Sequence, residues 1–287
     1  MKHNDETRHT YLALLAADGS LTLLENDQPE NLAEFTGVDE LVVCNKPSRG
    51  EETSFRVRFD PNQDPCYTAL RAGVPTDTLG LVVAAMDSVK IYRTRDVTTM
   101  SYGLSGAGKQ LYLAAEIPGH RGLVRDVAWA PGNIRGYDIV ATACQDGFVR
   151  VIRVDTPFSA DDGKSWSVSD LVKGEKSKEG SRELSLTGKT AASAPLASGI
   201  RAELEKTGTN GDRRGADQSG HIKHNVTELS KLDSHRTPVW RVGFDDDGQI
   251  LGSVGDDGKL MCYRQTPDGS WAKSSELAMM KTRMSGP

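Results

Sequence analysis

Short runs of alternating apolar and polar residues recur along the chain and are separated by turn residues. Two segments align with each other, one beginning at His120 and the other at His235. Their corresponding apolar positions are Val124, Val127 and Trp129 in the first segment and Val239, Val242 and Phe244 in the second. Near-alternation over a few residues is typical of half-buried β-strands. The pattern therefore predicts repeated antiparallel units.

Asp-Gly pairs mark the predicted tight turns, because glycine adopts the positive φ that hairpins require. Such pairs lie between apolar runs at Asp18-Gly19, Asp146-Gly147 and Asp257-Gly258. A more diverged unit covers residues 55–92, and its turn at Met86-Asp87 lacks the glycine. Residues 12–24 supply half a unit, and residues 271–277 are expected to form an edge strand that begins the next unit. The repeat of about 40 residues predicts an all-β fold made of propeller blades.

The alternating pattern stops between residues 156 and 228. This stretch is rich in Ser, Gly, Lys, Glu and Thr and has few large apolar residues, so burial cannot offset the entropy of ordering it. We therefore expect blades over residues 1–155 and a long disordered insertion over 156–228. The last blade and the start of a further strand are expected over 229–280, followed by a tail over 281–287.

Each of the two matching units carries a histidine before its first strand, a hydroxyl residue in its second strand and an aspartate at the following turn. The three residues are His120, Thr142 and Asp146 in one unit and His235, Ser253 and Asp257 in the other. A loop imidazole that donates to a buried turn carboxylate would satisfy both groups. Because the set recurs once per repeat, we expect it to stabilise the blade, although a histidine base paired with aspartate is the alternative.

The features of the last unit resemble one group of WD-repeat blades. They are residues 235–240, the turn at 255–258, Tyr263 and residues 268–271. The unit is similar to the last blade of the Sec-thirteen-like scaffold nucleoporins of the nuclear-pore Y-complex, and within that group to the Seh-type paralogue. Residues 125–131 and 55–61 resemble the two preceding blades in the same order. One departure is that Leu24, Ile152 and Tyr263 occupy the place of the closing Trp.

This resemblance implies a six-bladed, open propeller whose ring is completed by a strand from a partner, an α-solenoid nucleoporin. It implies a structural role at the nuclear pore and nuclear envelope, in mRNA and protein transport. It also implies membership of a SEA-type complex that regulates TOR signalling at the vacuolar or lysosomal membrane. Because the chain begins within a blade, we expect an incomplete propeller of about three and a half blades, lacking the N-terminal blades and poorly stable alone.

Two other roles fit a WD-repeat fold, because a fold does not determine a function. The first is a subunit of a COPII-type vesicle coat, and the second is an adaptor in a signalling or ubiquitin-ligase complex. The bound partner would distinguish them from a pore scaffold.

One segment matches the spacing of a phosphate-binding loop. It runs from Gly103 to Gly108 and Lys109, but Gln110 stands where a magnesium-binding hydroxyl is required. We therefore expect a flexible loop at 103–109, followed by a strand at 111–117. A nucleotide-dependent enzyme that uses Lys109 is the alternative.

The remaining candidate chemistry also favours a protein without a catalytic, cofactor or metal site. The net charge of −5 argues against a nucleic-acid partner, and the chain contains no run of about 18 apolar residues that would predict a membrane span. Cys144 and Cys262 lie in predicted strands and are expected to be buried, whereas Cys44 and Cys66 stay undetermined. The carboxylates at 245–247 precede a turn glycine and are expected to be solvated.

Overall fold

The computed structural model describes residues 1–157 and 221–278, apart from residues 6, 29, 32, 102, 103, 133 and 134. The described residues form four antiparallel sheets, each with four strands that follow one another in chain order. One short helix, α1 (Tyr67–Arg71), lies between the first two strands of the second sheet. The all-β fold of repeated antiparallel units predicted from the sequence is thereby confirmed for the described residues.

The strand bounds are as follows. The first sheet contains β1 (Lys2–His3), β2 (Thr10–Leu15), β3 (Ser20–Asn26) and β4 (Thr36–Val42). The second contains β5 (Phe55–Phe59), β6 (Gly80–Ala85), β7 (Ser88–Ser101) and β8 (Leu104–Ile117). The third contains β9 (Val124–Trp129), β10 (Asp138–Cys144), β11 (Val149–Asp155) and β12 (Asn225–Leu232). The fourth contains β13 (Val239–Phe244), β14 (Ile250–Gly255), β15 (Lys259–Gln265) and β16 (Trp271–Ala278).

The Asp-Gly pairs form the predicted turns between strands. Gly19, Gly147 and Gly258 have φ values of 90°, 83° and 67°, a region that side chains other than glycine rarely adopt. At the diverged turn Met86 takes the same region with a φ of 60°. The hairpin therefore forms there without glycine.

Apolar side chains on facing sheets join neighbouring sheets into shared cores. All six residues of β6 are buried, because Leu81 and Val83 pack towards the first sheet whereas Val82 and Ala84 pack towards the third. A further cluster joins the third and fourth sheets. A strand covered on both faces reads as a continuous apolar run, which explains the uninterrupted sequence of β6.

Three predicted boundaries need correction. The first sheet is four-stranded, with a two-residue β1, where half a unit was expected. Strand β16 is hydrogen-bonded to β15 and completes the fourth sheet, so it does not begin a new unit. Strand β12 pairs with β11, which places residues 225–228 in the third sheet and not in the insertion, and removes 229–232 from the last blade. Residues 158–220 and 279–287 lie outside the described part of the chain.

The phosphate-loop-like segment is also different from expectation. Strands β7 and β8 form a long hairpin, and residues 104–110 pair with β7 up to the Arg95–Gln110 position. Gly103 lies outside the described residues, but 104–109 are strand and not a flexible loop. The continuous ladder explains this, because each backbone group there can pair across the hairpin.

Candidate functional site

The predicted polar set of the fourth sheet is brought together in a buried network. Nδ1 of His235 donates to Oδ1 of Asp257 over 3.0 Å, and Nε2 lies 2.7 Å from Oγ of Ser253. The Ser253 hydroxyl also lies 3.3 Å from the hydroxyl of Tyr263, which stands at the place of the closing Trp. The amide of Lys259 donates to the same Asp257 oxygen. The network therefore connects the loop before β13 with β14, β15 and the turn between them.

The corresponding set in the third sheet is brought together in part. Nε2 of His120 lies 2.9 Å from the hydroxyl of Thr142, as in the other unit. Nδ1 of His120 is buried and has no hydrogen-bond partner within the described residues, because Asp146 is occupied elsewhere. Arg150 donates to both oxygens of Asp146, at 3.2 and 2.6 Å. The predicted histidine–aspartate bond is thus absent from this sheet.

The difference between the sheets has a local cause. Arg150 follows Asp146 by four positions, and at the same distance after Asp257 the chain has Met261, a buried apolar residue. A guanidinium that donates twice to a carboxylate is a stronger partner than a neutral imidazole. Arg150 also donates to the carbonyl of Gly119 over 2.8 Å. It therefore connects the loop before β9 to the turn after β10, as the histidine does in the fourth sheet.

These contacts change the protonation of both groups. Burial, and then the Arg150 charge, lower the pKa of His120 to about 4. Burial alone would raise the pKa of Asp146, but the hydrogen bonds from Arg150 and the amide of Phe148 outweigh it and lower the pKa. His120 is therefore neutral and Asp146 ionised at neutral pH. An imidazole with a pKa of about 4 is a weak base, and no carboxylate of the described residues orients His120, so it is poorly suited as a general base.

A second buried polar cluster was missed by sequence reasoning. Arg93 of β7 is fully buried, donates through Nε to Nε2 of His224 over 2.6 Å, and donates to Oδ2 of Asp138 over 3.0 Å. Nδ1 of His224 lies 2.7 Å from the Thr156 hydroxyl. Burial, and then the Arg93 charge, lower the pKa of His224 to about 3. These residues are far apart in sequence and show no shared pattern, so no signal could have grouped them.

Burial also acts on the neighbouring carboxyl groups of this cluster. It raises the pKa of Asp60 to about 7, with the charge of Asp138 acting in the same direction. The pKa of Asp138 is raised by burial as well, although Arg93 opposes the change. The cluster joins the second and third sheets at the point where β12 enters.

Lys109, the residue of the phosphate-loop alternative, is held by two carboxylates. Its Nζ donates to Asp77 and, over 3.1 Å, to Asp96. Burial would lower its pKa, but these bonds raise it, so the lysine stays charged and paired. It is not free to neutralise a phosphate group.

The other candidate residues have structural surroundings. Cys144 and Cys66 are buried, and Cys44 and Cys262 are half-buried. Burial raises the pKa of the Cys44, Cys66 and Cys144 thiols, which disfavours the nucleophilic thiolate. Oδ1 of Asp245 accepts the amides of Gln249 and Ile250 at the turn. Within residues 1–157 and 221–278, no three His, Cys, Asp or Glu residues are grouped as metal ligands.

The fourth sheet has one packed face and one open face. Leu251, Met261 and Tyr263 are buried against the third sheet. On the other face Leu260 lies directly opposite Val254 on one side and Leu277 on the other, and Leu277 is 59% exposed. The open face of the last sheet therefore carries an apolar row across three strands. No helix in the described part of the chain is long and apolar enough to cross a membrane.

A family model described as "WD domain, G-beta repeat" matches residues 111–153 and 226–264. The two matches cover most of the third and fourth sheets, which carry the histidine, hydroxyl and aspartate sets. Together with the four four-stranded sheets, they define the chain as a WD-repeat protein.

More specific relatives are three fungal proteins. The chain is 51% identical over 344 residues to "Nucleoporin SEH1" of Chaetomium thermophilum, covering 100% of this chain and 63% of that protein. It is 26% identical over 259 residues to "Nucleoporin SEH1" of Saccharomyces cerevisiae, covering 89% and 60%. It is 27% identical over 255 residues to "Nucleoporin seh1" of Schizosaccharomyces pombe, covering 88% and 56%. The chain belongs to the WD-repeat family as a homologue of these nucleoporins, and it spans less than two thirds of their length.

Proposed function

We propose that this protein is a structural scaffold subunit of the nuclear pore complex, a component of its Y-complex coat. The homology to three proteins named as nucleoporins carries the proposal. The polar sets that were candidates for chemistry support a structural role, because the groups are bonded to one another and hold loops to strands. The site residues His235, Ser253 and Asp257 and their counterparts His120, Thr142 and Asp146 are accordingly proposed to stabilise blades.

The partner in this proposal is an α-solenoid nucleoporin that completes the propeller with its own strands. The open face of the fourth sheet supports this choice, because Val254, Leu260 and Leu277 present apolar surface next to the edge strand β16. An added strand could pair with such an edge through its backbone while its alternate side chains cover the apolar row. Roles in nucleocytoplasmic transport and in a TOR-regulating complex at the vacuolar or lysosomal surface remain predictions from the resemblance.

The experiment expresses the tagged chain in fungal cells depleted of their own Seh-type nucleoporin. We expect a continuous signal at the nuclear rim and co-purification of an α-solenoid nucleoporin. The double variant Leu260→Arg/Leu277→Arg should lose both, because two desolvated charges would oppose burial of the face. Thr76→Arg, an exposed loop change, is the matched control and should retain both.

Two results would contradict the proposal. One is a chain spread through the cytoplasm with a ubiquitin ligase or a kinase subunit as its bound partner. The other is recovery of COPII coat subunits in place of nucleoporins. Circular dichroism of each purified variant separates loss of binding from loss of folding.

A further inference from the structure

The first strands of three successive sheets bring three arginines around one aspartate. Arg56 and Arg58 belong to β5, Arg241 belongs to β13, and Asp126 belongs to β9, which lies between them. Nε of Arg56 lies 3.9 Å from Oδ1 of Asp126, and Nη2 of Arg58 lies 3.8 Å from the same oxygen. Nη1 of Arg241 lies 3.9 Å from Oδ2. One carboxylate thus faces three guanidinium groups.

This cluster has an excess of positive charge and contains polar atoms without hydrogen-bond partners in the described residues. Three guanidinium charges and one carboxylate charge leave a local excess of positive charge, although the whole chain is acidic. Each of the three distances exceeds a hydrogen bond. Asp126 is 2% exposed, and its Oδ1 and the buried Nε of Arg56 have no hydrogen-bond partner in the described ranges. The arginine side chains are 41–61% exposed, so their remaining donors can reach a ligand.

An open groove of about 410 Å³ includes part of this cluster. Arg58, Asp126 and Arg241 line it together with apolar residues and glycines of the fourth sheet. The floor is formed by Gly243 and Gly252, which lie opposite each other on β13 and β14, and a Cβ placed on Gly243 would meet no atom within 4 Å. Val254 and Leu260 supply the apolar wall. The groove is therefore open above two residues that have no side chain.

We propose that this groove binds an extended acidic peptide segment. Carboxylates of the segment accept hydrogen bonds from Arg58 and Arg241, and its apolar side chains lie over Gly243 and Gly252 against Val254 and Leu260. Arginine suits this role because its planar fork matches a carboxylate. Val254 and Leu260 also belong to the face proposed for the partner strand, so the two ligands would compete for it. Arg58 and Arg241 lie outside that apolar row, so changing them tests the peptide site while the scaffold role can hold, and Leu277→Arg alone tests the partner strand.

A nucleic acid fits the same arginines less well. Asp126 repels a phosphate and a carboxylate alike, so its charge does not distinguish the two ligands. The adjoining wall does, because it offers apolar side chains where a run of phosphates would require further cations. In a peptide, carboxylate side chains can alternate with apolar side chains that pack against such a wall, whereas the backbone of a nucleic acid carries a charge at every phosphate. The observations therefore favour the acidic peptide.

The test measures binding of a fluorescent peptide that alternates Glu and Leu to the purified full chain, by anisotropy. We expect Arg58→Gln/Arg241→Gln to bind about tenfold more weakly, since it removes two charge-assisted bonds, each worth about threefold to fivefold at a partly exposed arginine. A peptide with Gln in place of Glu should lose affinity to the same extent. The control Arg264→Gln, an exposed arginine on β15, should bind the Glu peptide as the unaltered chain does.

The Asp126→Asn variant distinguishes two roles of the arginines. They either bind a ligand or serve only to neutralise the charge of Asp126. The variant removes the central negative charge but retains an oxygen that can accept the Val242 amide, which now donates to Oδ2 over 3.3 Å. A ligand site predicts tighter binding of the Glu peptide by this variant. The proposal is overturned if Asp126→Asn leaves affinity unchanged, if the double variant binds as well as the unaltered chain, or if an oligo-dT strand displaces the peptide at lower concentration than unlabelled peptide does. Equal melting temperatures establish that the variants compared are folded.

Discussion

Asp146 and Asp257 occupy the same place in two successive sheets, yet they have different partners. The sequence places a histidine before both, and from that repeat alone the same bond is expected in both. The residue four positions after each aspartate determines which partner the aspartate has. Arg150 donates to Asp146, whereas Met261 cannot donate, so Asp257 accepts a hydrogen bond from His235. The residue at this fourth position is not part of the repeated set, which is why the pattern could predict one bond and not the other.

Removing Arg150 should restore the missing histidine–aspartate contact. In Arg150→Met, Asp146 loses its strongest partner and His120 loses the nearby positive charge that helps to lower its pKa. We expect the pKa of His120 to rise from about 4 towards or above the usual value near 6.5. NMR titration of the imidazole protons measures it. Arg153→Met, a change on the same strand, should leave the pKa of His120 where it is, and an equal rise in both variants would contradict the explanation.

Gly255 shows how closely the His235 network approaches the backbone. A Cβ at this position would lie 2.8 Å from Nδ1 of His235 and 3.0 Å from the carbonyl oxygen of Pro238. Gly255→Ala should therefore displace the imidazole from Asp257 and reduce the free energy of unfolding by about 1–3 kcal/mol. Urea denaturation tests this. In the control Gly252→Ala the nearest contact is an ordinary 3.7 Å to Leu260, so a loss as large as that of Gly255→Ala would argue against the steric cause.

At the scale of elements, β12 shows why a real strand escaped prediction. Its apolar residues Val226, Leu229 and Leu232 are spaced by three, where a regular strand alternates by two. The pairing with β11 shifts between Val151 and Ile152, and Val226 consequently packs into one inter-sheet cluster while Leu229 and Leu232 pack into the next. A bulge that changes the face of a strand breaks the period on which sequence analysis depends.

The junction between β11 and β12 should make stability depend on pH. The unfolded chain protonates His224 near pH 6.5, but in the folded state burial, and then the charge of Arg93, lower the pKa of the imidazole to about 3. The unfolded state therefore binds more protons in this window, and stability falls as pH decreases from about 6.5 towards 3. The slope due to His224 approaches about 1.4 kcal/mol per pH unit.

The contribution of His224 can be isolated by comparison with His224→Gln. Urea denaturation at several pH values should give a shallower loss of stability below pH 6.5 for the variant, even if the variant is less stable at neutral pH. Asp60, Asp138 and His120 also change their protonation in or near this region, but they are present in both proteins. Parallel curves for the two proteins would show that His224 is protonated in the folded state.

At the scale of the whole molecule, the sheets are joined by cores that each belong to two neighbours. The repeat, its turns and its all-β character could be predicted, because they depend on local alternation and on glycine at positive φ. The Arg93 cluster and the arginines around Asp126 could not, because each forms where residues from separate sheets meet. Long-range polar contacts of this kind leave no periodic trace in a sequence.

The shared cores predict that the sheets unfold together. Val82 lies in the cluster between the second and third sheets, and Val82→Ala should reduce stability by about 2 kcal/mol through the cavity it leaves. The chain has four tryptophans, and Trp129 lies in the same cluster as Val82, so the signal of Trp271 in the next cluster must be resolved from the others by 5-fluorotryptophan NMR. The transition of Trp271 and the far-ultraviolet circular dichroism should shift by the same amount. Separate transitions for the two signals would show that the sheets unfold independently.

The meeting of Thr156 and His224 has a practical consequence. Thr156 follows β11 and His224 precedes β12, and their side chains are hydrogen-bonded to each other. Arg93 donates to the other ring nitrogen of His224 and so holds this pair in place. Whatever length of polypeptide joins those two residues, its termini start side by side, and each doubling of a connection costs only about 0.6 kcal/mol in closure entropy. A fluorescent protein could consequently be inserted into this connection without disturbing the pairing of β11 with β12. For the same reason, homologues can differ in the length of this connection and keep the same strand pairing.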